Sequence, residues 1–574
     1  MSARSRLAAA GALAVAAIVL PASAASAHAV LLRSEPAPQT TVPRAPAVVR
    51  LYFSEPVEVA FGAIRVYDVD GHRVDDGGIQ RAEAGREVDV PARMKNGTYT
   101  VTWRVTSADG HPVHGGFGFY VGAPSTISPA AIPADRGAGR TVGWGYGVVR
   151  FVWFAGLIAL IGLVAVRRWV WTPAMRAAGL ARSDAASGFR RRFRRWLPAA
   201  WAVLAAAGLL ALVFQTATVS GLSLVSAARP AALGQVLHTA FGRLWLAEMV
   251  LTAAALAPVL ALVGRRRALG LAPDVWIGVL GALAGGLCLT SALNGHARTL
   301  GRAAVDVPAL AVHLLAAGVW VGGLGALVAV GAASWRAVPD AGRPALVRDL
   351  TRRFGRLALV AAGVVVVTGV VNAFGDFSTV SDLWRVSHGR VVTAKVAALA
   401  VALALAARHR WSVPARLEGD GASAGAAVAS FRRTAAAEVA ALVAALALAA
   451  ALVALVPGRS LALAAKGPVN QEHRAGPYTA ELFIDPTDVG ANQVHLTFVN
   501  ASGLAAAEVS NTDVSLGPAA GPLQPVSMRL ISPGHFVGDT TLGPGPYRLT
   551  VTAGGGSSAS TTFTFRLAGS QPKP

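Results

Sequence analysis

Hydrophobic and polar positions follow two different patterns along the chain. The first pattern, a short alternation, covers residues 28–122. Apolar and polar residues alternate there in short runs such as 48–53 and 99–105. Turn-forming pairs such as Asn96-Gly97 separate the runs. A period of two predicts strands with one buried face, so we predict a small all-β sandwich.

Eight long apolar stretches come next, each close to the roughly 20 residues that a helix needs to cross a bilayer. They lie near 145–166, 196–219, 242–264, 274–294, 307–332, 357–375, 389–407 and 435–456. We predict a multi-domain membrane protein whose eight-helix transmembrane domain covers 145–456, after a Pro/Ala/Gly-rich linker at 123–144. Alternation returns at 478–484 and 493–499, so 457–574 is expected to form a second, immunoglobulin-like all-β sandwich with a polar tail.

The first 27 residues have the pattern of a signal peptide. Arg4 and Arg6 precede the apolar run 7–20, and small residues at 25–27 follow it. The run is too short to span a membrane, so we expect cleavage after Ala27. His28 then becomes the amino terminus of the mature chain.

Arginines between the apolar stretches predict the topology. They follow the first, third, fifth and seventh stretches, at Arg167 and Arg168, Arg265 to Arg267, Arg352 and Arg353, and Arg408 and Arg410. Basic loops stay in the cytoplasm. We therefore expect a multi-pass protein of the cytoplasmic membrane with both soluble domains extracytoplasmic.

Composition agrees with this class and excludes others. The 574 residues are 54% hydrophobic and 14% charged, which is more apolar than soluble proteins are. The net charge of +22 comes mainly from arginines beside apolar stretches, so we expect membrane lipid and no nucleic acid as a partner. The lone cysteine, Cys288, excludes a thiolate cage, and without a Walker A sequence we expect neither ATP-driven transport by this chain nor an enzyme.

Two segments carry metal-ligating groups. A mature His28 offers an α-amine and an imidazole that can chelate one metal ion. Asp109 and His111 are two residues apart, so an extended segment places them on one face. Such a set of nitrogen and oxygen ligands suits tetragonal Cu(II). The ligand types alone also allow zinc, or a plain hairpin turn with surface histidines that bind no metal.

These two segments resemble those of the CopC family of extracytoplasmic copper-binding β-sandwiches, which are cupredoxin-like or immunoglobulin-like. The resemblance implies that His28, Asp109 and His111 bind Cu(II), with His114 beside them as an orienting partner. Met94 is the only methionine of the segment 28–122. We therefore expect a Cu(II) site without a thioether cluster for Cu(I).

Polar residues of the apolar stretches are candidates for function because they are costly in lipid. The set is His238, His296, His313, Trp320 and His388. His313 and Trp320 are seven apart and share a helix face, next to glycines where a neighbouring helix can approach. The segments 295–297 and 313–323 resemble the CopD family. The resemblance implies that these residues form a path for copper through the membrane, and Cu(I) is one of the forms in which copper could pass.

An internal repeat aligns residues 241–248 with 388–395. Both segments open a helix from the outside, so the halves are expected to be parallel. Glu248 and Lys395 would lie at matching depths, where they are expected to form an ion pair or to reach the interface.

The region 475–567 weakly resembles the YtkA-like family. Its histidines, His473, His495 and His535, show no ligand spacing. We therefore expect a structural or docking domain.

The leading function is copper capture outside the cell followed by import, with a copper chaperone or cuproenzyme outside the cell as a partner. One alternative is a redox protein with b-type haem, held by His238, His296, His313 or His388. The other is a metallochaperone or sensor scaffold that moves no copper across the membrane.

Overall fold

The computed structural model describes most of the chain outside its first 28 residues. The described residues are 29, 31–37, 40–59, 64–107, 110, 112–122, 140–264, 270–295, 297, 302–331, 338, 343–416, 421–453, 455, 469–485, 489–499, 506, 508–532, 534–554 and 559–567. They form a helical unit within Ala138–Arg459, and a β unit made of Ser26–Gly137 and Ser460–Pro574.

The N-terminal region is a β-sandwich, as the alternating pattern predicts. Its strands are β1 (Leu31–Glu35), β2 (Thr41–Val42), β3 (Val48–Phe53), β4 (Val57–Glu58), β5 (Ile64–Tyr67), β6 (Gln80–Ala82), β7 (Glu87–Pro91), β8 (Gly97–Ser107) and β9 (Pro112–Val121). The sheet orders are β1-β3-β7-β6 and β2-β9-β8-β4, with β5 paired to β8. Leu51 and Val88 from one sheet and Val101 and Phe119 from the other are fully buried in one core. The two sheets therefore pack face to face.

The middle of the chain is helical. Its principal helices are α1 (Arg140–Ala165), α2 (Asp184–Ser220), α3 (Pro230–Leu237), α4 (Ala240–Val263), α5 (Pro273–Leu293), α6 (Ala303–Ala317), α7 (Arg343–Asp376), α8 (Asp382–Arg385), α9 (Ser387–Arg416) and α10 (Gly421–Leu452). Helix α1 begins at Arg140, inside the predicted linker 123–144. Two π-helical segments, Gly318–Gly322 and Leu327–Gly331, and the short helix Gly323–Ala326 continue α6.

Seven of the described helical segments are long and apolar enough to cross a membrane. They are Val142–Ala177, Asp184–Ser220, Ala240–Val263, Pro273–Leu293, Ala303–Gly331, Arg348–Asp376 and Ser387–Arg408. Each overlaps one of the first seven predicted stretches. In the eighth stretch the apolar part of α10 is Ala436–Leu452, which is shorter than these seven segments. The chain is thus a multi-pass membrane protein, while the count of eight crossings stays a prediction.

The internal repeat has a structural counterpart. Gly242 and Gly389, which the repeat aligns, lie in the first turns of α4 and α9. A side chain at Gly242 would overlap the carbonyl of Val236 at the end of α3, and one at Gly389 would overlap the carbonyl of Asp382 in α8. In both halves a short helix therefore packs closely on the start of a long one, and only glycine fits.

The C-terminal region is also β-rich. Its strands are β10 (Val469–Ala475), β11 (Tyr478–Asp485), β12 (Gly490–Val499), β13 (Asn511–Pro518), β14 (Gln524–Val526), β15 (Arg529–Ser532), β16 (His535–Leu542), β17 (Gly545–Gly554) and β18 (Ala559–Leu567). The sheet orders are β10-β11-β12-β16-β15 and β14-β13-β17-β18. Leu482 and Leu496 of the first sheet and Val551 and Phe563 of the second are buried in one core.

Candidate functional site

The predicted outer metal site lies at the tip of the β8–β9 hairpin. Strand β8 ends at Ser107 and β9 begins at Pro112, and the last ladder pair joins Thr106 to Pro112. Gly110 turns the chain with a φ of 87°, and its N–H donates to the carbonyl of Ser107 at 2.9 Å. Asp109 and His111 lie outside the described residues, on either side of this glycine.

The other predicted ligand, His28, also lies outside the described residues, and the structure describes only the backbone of His114, which pairs with Arg104. The residue after His28 is well placed. Ala29 is 1% exposed and belongs to the same core as Val105 and Val113, which flank the hairpin tip. Burial of Ala29 fixes the start of the domain against its core. The mutual geometry of His28, Asp109 and His111 stays a prediction.

A second group of ligand atoms in this domain is part of a turn. Ligand atoms of Asp68, Asp70 and His72 lie within 4.8 Å of one another. The Oδ1 atom of Asp68 accepts hydrogen bonds from the backbone N–H groups of Asp70, at 3.1 Å, and His72, at 2.8 Å. Asp70 and His72 are exposed, so the turn itself accounts for this arrangement.

Within the membrane domain, His313 is held by Thr368 of α7. The two side chains meet at 2.9 Å between Nδ1 and Oγ1. The Thr368 hydroxyl donates to the carbonyl of Val364 at 2.6 Å. Its oxygen can therefore accept from Nδ1–H of His313, which leaves the lone pair on Nε2. This tautomer is the form in which an imidazole binds a metal ion through Nε2.

One charged side chain, Lys395, lies near enough to this imidazole to affect it. Lys395 of α9 acts electrostatically on His313, and Asp376 at the end of α7 acts on Lys395. Sequence reasoning did not name Asp376 or Thr368 as site residues. Their only signal in the sequence was a polar side chain near an apolar stretch, which by itself does not tell which helices pack together.

Trp320 belongs to the same helix–helix interface. It is 1% exposed and packs in a cluster with Ala361 and Val365 of α7. The π-helical turn Gly318–Gly322 carries it, and such turns are frequent at functional sites. The predicted close approach at these glycines is confirmed, because a side chain at Gly322 would overlap the carbonyl of Ile158 in α1.

His388 opens α9 and is buried. Its Nε2 lies 3.4 Å from Oδ2 of Asp376, and its Nδ1 lies 3.4 Å from the carbonyl oxygen of Leu455. The ring meets Phe377 edge-on, with centroids 5.6 Å apart. Nδ1 thus has a hydrogen-bond partner, whereas Nε2 faces the carboxylate without a hydrogen bond, so the contacts of both nitrogens are with oxygen atoms of the protein.

The remaining histidines are not brought to this interface by the described contacts. His238 caps α3, is exposed, and its carbonyl accepts from Arg243 at 2.9 Å. His296 lies outside the described residues. Among the described residues, the hydrogen-bond partners of the His313 and His388 rings are oxygen atoms, and no two of these histidines are paired as haem ligands would be.

The ion pair expected between Glu248 and Lys395 is not formed by these described residues. Glu248 instead accepts from the hydroxyl of Ser291 in α5 at 3.1 Å, and Trp153 of α1 donates to that hydroxyl at 3.3 Å. The two helices that carry these residues belong to different halves, and the electrostatic neighbour of Lys395 is Asp376 of its own half. Ser291 and Trp153 were not named from the sequence.

Three families of known proteins match successive parts of the chain. Residues 31–122 match the CopC domain, residues 141–305 the N-terminal domain of copper resistance protein D-like proteins, and residues 348–452 copper resistance protein D. The region after 457 has no counterpart among these three matches.

Among curated proteins, the chain is similar to the copper transport protein CutJ of Bacillus subtilis, with 28% identity over 387 residues, which are 67% of this chain and 68% of CutJ. It is 35% identical to protein YobA of Escherichia coli over 98 residues, 17% of this chain and 79% of YobA. Among solved structures, CopC from Methylosinus trichosporium is 31% identical, covers 17% of this chain and 95% of its own, and has a TM-score of 0.15. PcoC, a methionine-rich copper resistance protein from Escherichia coli, is 29% identical. The match covers 17% of this chain and 99% of PcoC, with a TM-score of 0.15.

Proposed function

Because this chain belongs to the CopC and CopD families of copper resistance proteins, with a domain of each, we propose that it captures Cu(II) outside the cell and imports copper across the cytoplasmic membrane. The observation that carries the proposal is this union of a copper-binding type of domain with a membrane domain in one chain. A covalent link keeps the captor close to the membrane and raises the effective concentration of its cargo there.

In the proposed outer site, His28 supplies an amine and an imidazole nitrogen, and the hairpin tip supplies Asp109 and His111. Buried Ala29 and the hydrogen-bonded turn at Gly110 support this assignment, because each anchors the backbone next to a proposed ligand. A preorganised set of three nitrogens and one oxygen suits Cu(II). His114 is proposed to orient a ligating ring.

In the proposed membrane step, Nε2 of His313 receives the ion. Thr368 orients the ring, and a nearby Asp376 can offset the positive charge of Lys395. A metal ion in the low-dielectric interior needs such ligands and counter-charges to remain. Trp320 and His296 complete the proposed path. His238 is exposed and the ring nitrogens of His388 face oxygen atoms of the protein, so we leave both out of it.

The energy and partners of this transport are inferred from the chemistry. Without a nucleotide-binding motif, import would use the ion gradient or a partner protein. An extracytoplasmic copper chaperone or cuproenzyme is the proposed partner of the outer domain. Copper is proposed to cross the membrane as Cu(II) or as Cu(I).

Copper accumulation by whole cells tests the function. Cells that express the chain are expected to accumulate more copper at limiting external copper than cells with the empty vector. Equal accumulation would favour the scaffold alternative, in which copper is bound outside and passed to an enzyme. A Soret band in the purified protein would favour the haem alternative.

The topology has its own test. A reporter fused after Val456 is expected to be active only outside the cytoplasm, because eight crossings return the chain to the side on which it started. A matched fusion at Arg266, in the basic loop after the third stretch, should report the cytoplasm. A cytoplasmic signal after Val456 would contradict eight crossings and an extracytoplasmic C-terminal domain.

A further inference from the structure

Two buried histidines meet in the C-terminal domain, where the sequence shows no ligand spacing. Strands β12 and β16 pair so that Thr497 lies opposite His535 and His495 lies opposite Val537. Residues two apart on a strand share a face, so His495 and His535 are diagonal neighbours on one face of the sheet. The Nδ1 atom of His495 lies 3.4 Å from the Nε2 atom of His535. Each residue is 5% exposed.

The distance between these nitrogens suits a shared metal ion. Bonds from imidazole nitrogen to a metal such as zinc are about 2.0–2.1 Å long. Two such bonds across the observed 3.4 Å enclose an angle of roughly 110°, the value of tetrahedral or trigonal coordination. The same distance is longer than that of a good N–H···N hydrogen bond. A metal ion therefore fits between the rings without a large movement of either strand.

The surroundings favour an ion of low charge. The His495 ring meets Phe483 edge-on, with centroids 5.9 Å apart, and Val537 beside it is buried. Burial lowers the pKa of His495 to about 3 and that of His535 to about 4, so both rings are neutral and able to ligate. Asp539 acts electrostatically on His495, so one carboxylate can offset the single charge of Cu(I), whereas a divalent ion would leave a further charge in this buried site.

We propose that His495 and His535 hold one Cu(I) ion, which makes the C-terminal domain a second copper-binding domain of the chain. The choice of copper rests on the proposed function, while the two-imidazole geometry stands independently of it. Imidazole is a ligand for copper as well as zinc, so zinc is the competing occupant. Among the described residues no third histidine, cysteine or carboxylate closes the site, so an exogenous ligand would complete the coordination of the ion.

The first test uses the wild-type full chain in detergent, so it does not depend on whether a variant folds. Hydrogen exchange is measured by mass spectrometry with and without one to three equivalents of Cu(I), supplied with ascorbate under argon. Peptides that contain β12 and β16 are expected to exchange at least about 10-fold more slowly with Cu(I), because the ion cross-links the two strands. Unchanged exchange in both strands at saturating Cu(I) would overturn the proposal.

The second test counts bound ions. The double variant His495→Asn/His535→Gln keeps polar atoms near the positions of Nδ1 and Nε2, and it is expected to bind one Cu(I) fewer per chain than the wild type. The matched control is His473→Gln, in the same domain, where His473 stacks on Phe563 and contacts the carbonyl of Thr562. That variant is expected to keep the full count. Equal copper in the double variant and the wild type would overturn the proposal.

Two further measurements distinguish which metal binds this site and whether the proposed function holds. Zinc that slows exchange in β12 and β16 while Cu(I) does not would overturn the assignment to copper. Cu(II) binding at the outer domain and copper accumulation by cells report on the proposed function alone. Their failure with intact Cu(I) protection of β12 and β16 would refute import and leave the new site standing.

Discussion

The outer domain with one extra residue before His28 is expected to bind Cu(II) at least about 100-fold more weakly than the domain that begins at His28, a difference of roughly 2.8 kcal/mol. The added residue converts the α-amine of His28 into an amide, which must lose its own proton before it can bind Cu(II). The chelate of amine and imidazole is lost, and His28 keeps only its imidazole beside Asp109 and His111. Competition titration against a chelator of known affinity measures the change.

The isolated domain 28–122 is suitable for this measurement. Its two sheets enclose a core of their own. His72→Ala is the matched control, because His72 is an exposed histidine of the same domain in the turn at Asp68. That variant should keep the affinity. Unchanged affinity in the extended domain would refute the amino-terminal chelate.

His313→Ala is expected to reduce copper accumulation by cells to the level of the empty vector, while Cu(II) binding by the outer domain stays unchanged. The variant removes the ligand proposed for the membrane step. The structure should tolerate the change, because the Thr368 hydroxyl keeps its hydrogen bond to the carbonyl of Val364. Alanine in place of a polar group also favours insertion of the helix.

Two further variants are compared with His313→Ala, one expected to lower uptake and one expected to leave it unchanged. Thr368→Val removes the group that orients the ring, and it is expected to lower the initial uptake rate by about 10-fold, as the loss of an orienting partner does at metal sites. His238→Ala, at an exposed position, should accumulate copper as the wild type does. Wild-type accumulation by His313→Ala at normal expression would exclude His313 from the path and shift the assignment to His296.

Local patterns predicted the elements of this fold well. Alternation over 48–53 and 99–105 corresponds to β3 and to part of β8, since one face of each strand packs on the core. The apolar stretches were equally informative, because length and hydropathy alone decide whether a helix can span a bilayer. The close helix approach predicted at Gly322 was confirmed, because small residues at a helix surface are themselves a local signal.

Partners that come from distant parts of the chain could not be predicted in this way. His495 and His535 are neighbours only because β12 pairs with β16, and His313 meets Thr368 only because α6 packs on α7. The expected pair of Glu248 and Lys395 was wrong for a related reason. The repeat relates the two positions by symmetry, but symmetry does not bring them together, and Glu248 instead meets Ser291 on the adjacent helix.

Copper that has crossed the membrane is the most direct measure of the central claim. Cells expressing the wild type, His111→Ala or the empty vector are given radioactive copper and washed with a chelator that does not enter cells, and the cytosolic fraction is counted. Import predicts that the wild type fills the cytosol faster than the empty vector and that His111→Ala loses most of this gain at limiting copper. Copper that stays entirely in the chelator-accessible fraction of wild-type cells would contradict import.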